Sequence, residues 1–257
     1  YMPSIILAGG LISKLGSADQ KNSIIPEIIS GDRRYVFAYA EPQSRFDLFD
    51  VKCSATLDGD NYIINGFKSV VFGAGMATHL IISARTDGDQ RSKSGITLFL
   101  VDIKSDGITL QNYPTIDEYR ASEVVIENLT VSKENILGEL GNSYEAIEEQ
   151  VDLSTIAICS EAVGILQVLK DSTNDYCKNR KQFGKPISAN QAIQHRLVDM
   201  MIEYEQAKSI LFMAITADLS NPDERRKAAS AAKARIGKAI KFVGENAIQL
   251  HGGMGVV

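Results

Sequence analysis

A chain of 257 residues, 44% hydrophobic and 23% charged, has room for one or two domains with a sizeable buried core. Its net charge of -5 excludes the clustered basic face that nucleic-acid binding needs. No unbroken apolar run approaches the roughly 20 residues of a membrane span, and no signal peptide is read. The three cysteines, Cys53, Cys159 and Cys177, show no metal or redox spacing, so a reducing, cytoplasmic setting is expected.

The chain opens inside a helical pattern, YMPSIILAGGLISKLG, and closes on IQLHGGMGVV. Neither end reads as a natural boundary, and a fragment is expected. Residues 1–33 hold two short helical patterns. Ser17 with Gln20 three positions on is a capping box that starts the second, and Gly31 ends it. Over 34–138 the period changes to two. YVFAYAE, VKCSATL, YIINGFKSVVF, HLIISART, GITLFLVD, ITLQNYP and SEVVIENLTV alternate with turn signals at Asp58-Gly59-Asp60, Asn65-Gly66 and Asp87-Gly88. That spacing predicts a compact antiparallel barrel or sandwich. Over 139–257 the pattern is helical again, with helices expected at 144–181, 188–218 and 223–250 and Asn221 or Asp223 capping the last. Helices of roughly 28 to 38 residues, about 40 to 55 Å long, joined by short loops must pack antiparallel. The fold class is α+β, with the helical bundle incomplete.

Four stretches stand out. RKQFGKPISANQ, joining the first two long helices, carries Arg180, Phe183, Gly184 and Gln191 where a plain turn needs none of them. It admits two readings. Arg180 answers the helix dipole before a Gly-Lys-Pro stop, or its forked guanidinium takes a phosphate while Phe183 lies against a flat ring. In QLHGGMG, Gly252 and Gly253 cap a helix or let backbone approach a ligand, with Gln249 offering amide donors. His251 reads as a cap. In FAYAEPQSRFD, Glu41-Pro42 ends a strand, whose last residues either simply leave the sheet or hydrogen-bond a planar ligand. In NGFKSVVFGAG, Asn65-Gly66 reads as a tight turn and Lys68 as solvated, on a strand that supplies the opposite wall of the same pocket.

In this order and spacing the chain resembles the acyl-CoA dehydrogenase family over nearly its whole length. AEP…D, DGDNYIINGFK and ARTDG…GITLFLVD match that family's middle domain, and RKQFGKPISANQAIQHRLVDM and IQLHGGMG its C-terminal helices. The likeness within it is to the pimeloyl-CoA dehydrogenase small-subunit branch. The resemblance implies a tetrameric flavoenzyme, homomeric or heteromeric, with FAD between the middle and helical domains. Its substrate is an acyl-CoA, oxidised at the 2,3-bond, and its electron acceptor an electron-transfer flavoprotein or similar protein. The thioester carbonyl must be hydrogen-bonded as enolate charge develops, in a site from which water is excluded. Carried over, Arg180 and Phe183 contact the diphosphate and adenine half of FAD from a neighbouring subunit, and Gln249, Gly252 and Gly253 touch the cofactor across that same interface. Tyr39 and Ala40 line the flavin, Val70 and Phe72 form its second wall, and Asp152 and Tyr176 lie near the thioester or CoA.

The chain departs from the family pattern in four places. Ala40 stands where most relatives have Thr. Val70-Val71-Phe72 stands for Trp-x-Thr, losing a hydroxyl near the flavin. Arg45-Phe46 replaces Gly-Ser, and Arg45 reads either as a solvated loop arginine or, facing the acyl pocket, as a partner for the far carboxylate of a dicarboxylyl-CoA. The catalytic glutamate of most relatives falls beyond Val257, and at the alternative position of a minority this chain has Ser154, followed by Thr155 in place of an Arg. An active dehydrogenase and a non-catalytic partner subunit of a heterotetramer therefore both remain open. The fragment alone is expected to be poorly stable and inactive.

Overall fold

In the computed structural model residues 1–256 are described, and the chain divides into two compact units, Tyr1–Val151 and Asp152–Val257. The first begins with a wide helical turn, Met2–Ala8, running into α1 (Gly9–Leu15). α2 (Ala18–Ser30) follows the capping box expected of it. Gln20 N donates to Ser17 Oγ and Ser17 N to Gln20 Oε1, both at 3.1 Å, and Gly31 at φ 84° ends the helix. The Gln20 amide then reaches the carbonyl of Ile136 at 3.0 Å, fixing the helix to the sheet.

Strands β1 (Tyr35–Ala38), β2 (Ser54–Asp58), β3 (Asn61–Phe72), β4 (His79–Arg85), β5 (Ile96–Asp102), β6 (Ile108–Pro114), β7 (Arg120–Ser132) and β8 (Ile136–Leu137) form one eight-stranded sheet. Its order is β6-β7-β3-β2-β4-β5-β8, with β1 paired to β4. Most pairs are antiparallel, but β1 runs parallel to β4 with Val36 opposite Leu80, and β2 touches β4 in parallel at Ser54 and Arg85. The sheet is therefore mixed. β4 and β5 are buried on both faces around Leu80, Ile82, Leu98 and Phe99, which is why they read as continuous apolar runs.

Asn65-Gly66 is not the tight turn expected. Both residues lie within β3, at a bulge where the register against β7 shifts between Ile64 and Gly66. The side-chain oxygen of Asn65 accepts the Asn128 amide at 2.7 Å, and a Cβ on Gly66 would sit 2.6 Å from the Cys53 sulfur. Glycine serves a close approach here. Gly59-Asp60 does make its hairpin turn, between Asp58 and Asn61.

The second unit holds most of α3 (Tyr144–Asn179), with α4 (Gln191–Thr216) and α5 (Pro222–His251). Of the two candidate caps Asn221 is used. Its side chain accepts the Asp223 and Glu224 amides at 3.0 and 3.3 Å, with Pro222 at the first helical position. α5 buries Ala228, Ala232, Ile236, Ala239, Val243 and Ala247 at helical spacing, against a core containing Met200, Tyr204 and Leu211 of α4. α3 is shorter than expected because residues 181–186 form a two-stranded hairpin, β9 (Lys181–Gln182) and β10 (Lys185–Pro186).

α3 also corrects the reading of apolar runs. By length and composition it is apolar enough to cross a membrane, with a mean hydropathy of 1.5 in its best 18-residue stretch. Scattered Ser and Thr break the run of letters without lowering the mean much. Cys159, Val163 and Leu166 of this helix pack in the helical core. Ile158, Val168, Val198, Met201 and Phe212 remain exposed on α3 and α4.

Candidate functional site

In the first unit the two segments expected to line a flavin lie side by side. β1 ends at Ala38, and Tyr39 and Ala40 continue half-buried beyond it. The Ala40 carbonyl accepts the amide of Ser69 at 2.9 Å, so this segment lies against β3 just before Val70. There β3 shifts register for the second time, between Lys68 and Val71, and Val70 takes φ 52°. A β-branched residue in the left-handed region is strained. Val70 and Phe72 are 44% and 46% exposed, while Val71 between them is buried. The Val70 amide is aimed at the Glu123 carboxylate, 3.4 Å away, which also accepts the Tyr113 hydroxyl at 2.8 Å. Burial and the neighbouring Glu123 raise the Tyr113 pKa. Neither Glu123 nor Tyr113 lies in a motif that pointed to this site.

Lys68 overturns the expectation of a solvated side chain. It is fully buried, donating to Glu41 Oε1 at 2.7 Å and to Ser83 Oγ at 3.0 Å. Glu41, 4% exposed, also accepts the Lys52 amide at 2.8 Å, the Cys53 amide at 3.1 Å and the Gln43 side chain at 2.8 Å. Burial works against its charge, yet the Lys68 ammonium and these donors hold its carboxyl below the ordinary value. A strand end closing on Glu-Pro thus conceals a buried ionic junction.

Arg45 and Phe46 sit in the loop that follows. Arg45 adopts φ 49°, and Phe46 is 98% exposed. Both side chains are exposed, and no ion pair or hydrogen bond engages the Arg45 guanidinium among the described residues.

In the second unit the elbow resolves into a β-hairpin whose two-residue turn is Phe183-Gly184, at φ 51° and 78°. Such a turn favours Asn or Gly at its first position. An aromatic there, 99% exposed, gives the hairpin no packing. Arg180 precedes β9, its amide held by the Tyr176 carbonyl at 2.8 Å and its own carbonyl by the Ile187 amide at 2.9 Å. Its guanidinium is exposed and unpaired among the described residues.

Tyr176 brings the second motif to the same end of this unit. Its ring stacks on His251 at 4.3 Å, and its hydroxyl donates to the His251 carbonyl at 3.3 Å. His251 Nδ1 lies 2.8 Å from the Ala247 carbonyl, in the structural role expected of it. Gly252 follows at φ 61° and ψ -139°, a conformation open in practice to glycine alone. Gly253 is exposed with open space where a Cβ would lie, and Gln249 is exposed one turn back. Asp152 lies apart from this end, its carboxylate accepting Arg225 Nε at 3.1 Å, with Arg225 2% exposed. Ser154 and Thr155 are half-buried on the next turn of α3.

The chain as a whole is similar to known proteins. Residues 36–129 match the family description "Acyl-CoA dehydrogenase, middle domain" and residues 144–257 match "Acyl-CoA dehydrogenase, C-terminal domain". The chain is 32% identical to the 3-(aryl)acrylate reductase of Clostridium sporogenes, over 95% of its own length and 65% of that protein. It is also 32% identical to the mitochondrial short-chain specific acyl-CoA dehydrogenase of Homo sapiens, over 96% of its length and 60% of that protein. Butyryl-CoA dehydrogenase from Megasphaera elsdenii superposes with a TM-score of 0.91 at 26% identity, covering 100% of this chain and 67% of that one. The chain belongs to the acyl-CoA dehydrogenase family, and it spans roughly two thirds of the length of these relatives.

Proposed function

We propose that the protein containing this chain is an FAD-dependent oxidoreductase that moves hydrogen across the 2,3-bond of an acyl-CoA thioester. One observation carries the reading: an Arg180 unpaired among the described residues, beside a strained, fully exposed Phe183, at the same end of the helical unit as Gly252 and Gly253. Arg180 answers the diphosphate charge, Phe183 covers a flat ring, and the glycine pair admits the cofactor's backbone-close edge. Tyr39, Ala40, Val70 and Phe72 offer the flavin backbone groups and apolar surface. Bound FAD supplies a two-electron acceptor or donor. Tyr176 and Asp152, near opposite ends of α3, would meet different parts of the acyl-CoA, and Ser154 stands where a minority of relatives carry the proton-abstracting carboxylate.

An exposed Arg45, unpaired among the described residues and next to Phe46, supports a substrate with a distal carboxylate, a dicarboxylyl-CoA of the pimeloyl kind. Equal losses of kcat/KM for pimeloyl-CoA and octanoyl-CoA in Arg45→Ala would rule that pairing out. An electron-transfer flavoprotein or a similar carrier as redox partner, a homo- or heterotetramer, and a cytoplasmic location complete the proposal; three buried free thiols suit a reducing compartment. The arylacrylate reductase among the relatives supports a second reading, in which the same site works in the reductive direction.

The test is the flavin absorbance of the purified full-length protein and its anaerobic bleaching by acyl-CoA. Colour with bleaching is expected. Colour without bleaching points to the non-catalytic partner subunit, and absence of flavin uptake sinks the reading.

A further inference from the structure

We propose that Lys68 and Glu41 are positioning residues, whose ion pair sets the spacing of the two flavin walls; this rests on the flavin reading above. Both side chains are withdrawn from water, at 0% and 2% exposure. A buried pair is costly to desolvate, and an apolar pair of like volume often stabilises a fold equally well. Cohesion alone therefore does not account for charges at this spot. What they add is direction.

Glu41 ties together three segments through named donors: Gln43 in its own turn, the Lys52 and Cys53 amides leading into β2, and Lys68 on β3. Lys68 adds Ser83 on β4. Glu41 adjoins one segment directly, and Lys68 lies two residues before the other. Glu41 follows Ala40, whose carbonyl takes the Ser69 amide, and Ser69 follows Lys68 and precedes the left-handed Val70. The register shift between Lys68 and Val71 is the place where β3 could slip against β7. An apolar contact tolerates such a slip, whereas a 2.7 Å charged hydrogen bond between two otherwise anchored groups does not. The pair thus holds the Tyr39–Ala40 segment and the Val70–Phe72 segment at one separation.

The full-length protein tests this with the double variant Glu41→Gln/Lys68→Met, which leaves neither charge stranded and keeps an acceptor for the Lys52 and Cys53 amides. Apo-protein melting and FAD titration are measured side by side, with Lys68→Met as the second variant. The expected result is a double variant that melts cooperatively near the parent temperature, yet binds FAD about tenfold or more weakly. Lys68→Met alone is expected to lose both stability and affinity. Parent-like FAD affinity in the double variant overturns the proposal. So does its failure to fold, which would make the pair a requirement of the sheet itself. A parent protein that takes up no FAD instead refutes the functional reading beneath it, so the two failures are told apart.

Discussion

Glu41 and Arg180 are both charged, and the chain treats them in opposite ways. Glu41 is sealed inside the sheet unit with donors from Gln43, Lys52, Cys53 and Lys68, and every one of those contacts is internal. Arg180 stands at the rim of the helical unit, unpaired among the described residues, next to an aromatic held at φ 51° with nothing to pack on. The first arrangement satisfies its own costs within the fold. The second carries strain and exposure that the fold does not repay. Polar groups of the first kind should govern stability, and those of the second kind should govern ligand affinity.

Lys68→Met should separate the two most sharply. It strands the Glu41 carboxylate in the interior, for a loss of about 3–5 kcal/mol in urea unfolding. Acid sharpens the point. The folded Glu41 carboxyl titrates below its ordinary value, so its stabilising contribution is complete above the unfolded pKa and drains away as pH falls through the folded one. Urea midpoints measured from neutral pH downward should therefore converge for parent and Glu41→Gln at low pH. Arg180→Ala should leave urea stability within about 0.5 kcal/mol, while FAD affinity weakens by roughly 1.5–3 kcal/mol, the worth of hydrogen bonds to a charged partner. A large fall in stability there would break the comparison. Asn221→Ala is the intermediate case, an exposed group whose partners are all its own: about 1 kcal/mol in thermal melting, with FAD binding untouched. Phe183→Asn relieves the turn and should stabilise by up to about 1 kcal/mol, again with weaker FAD retention. A destabilised Phe183→Asn would mean that the ring serves the fold after all.

How far the sequence could be read followed the range of the interactions. Ser17 with Gln20, Gly31, Asn221 and the helical third are local, and all were legible. Asn65-Gly66 misled because its turn chemistry was overridden by pairing with Asn128, far along the chain. Lys68 misled for the same reason, since its burial depends on Glu41 and Ser83, both distant in sequence. Glu123 and Tyr113 reach Val70 only through the pairing of β3 with β7 and β6 with β7. The elbow stood out for the opposite reason. Arg180, Phe183 and Gly184 exceed what a connection between helices requires, and that surplus is visible without coordinates.

The three thiols give the molecule a built-in clock. Cys53 belongs to the sheet unit, where burial lifts it to about 11, and Cys159 and Cys177 belong to the helical unit, both also raised by burial. None should react with an alkylating reagent until its surroundings open. Peptide mass mapping of a labelling time course would then record, cysteine by cysteine, which half of the chain breathes first and whether added nucleotide slows it.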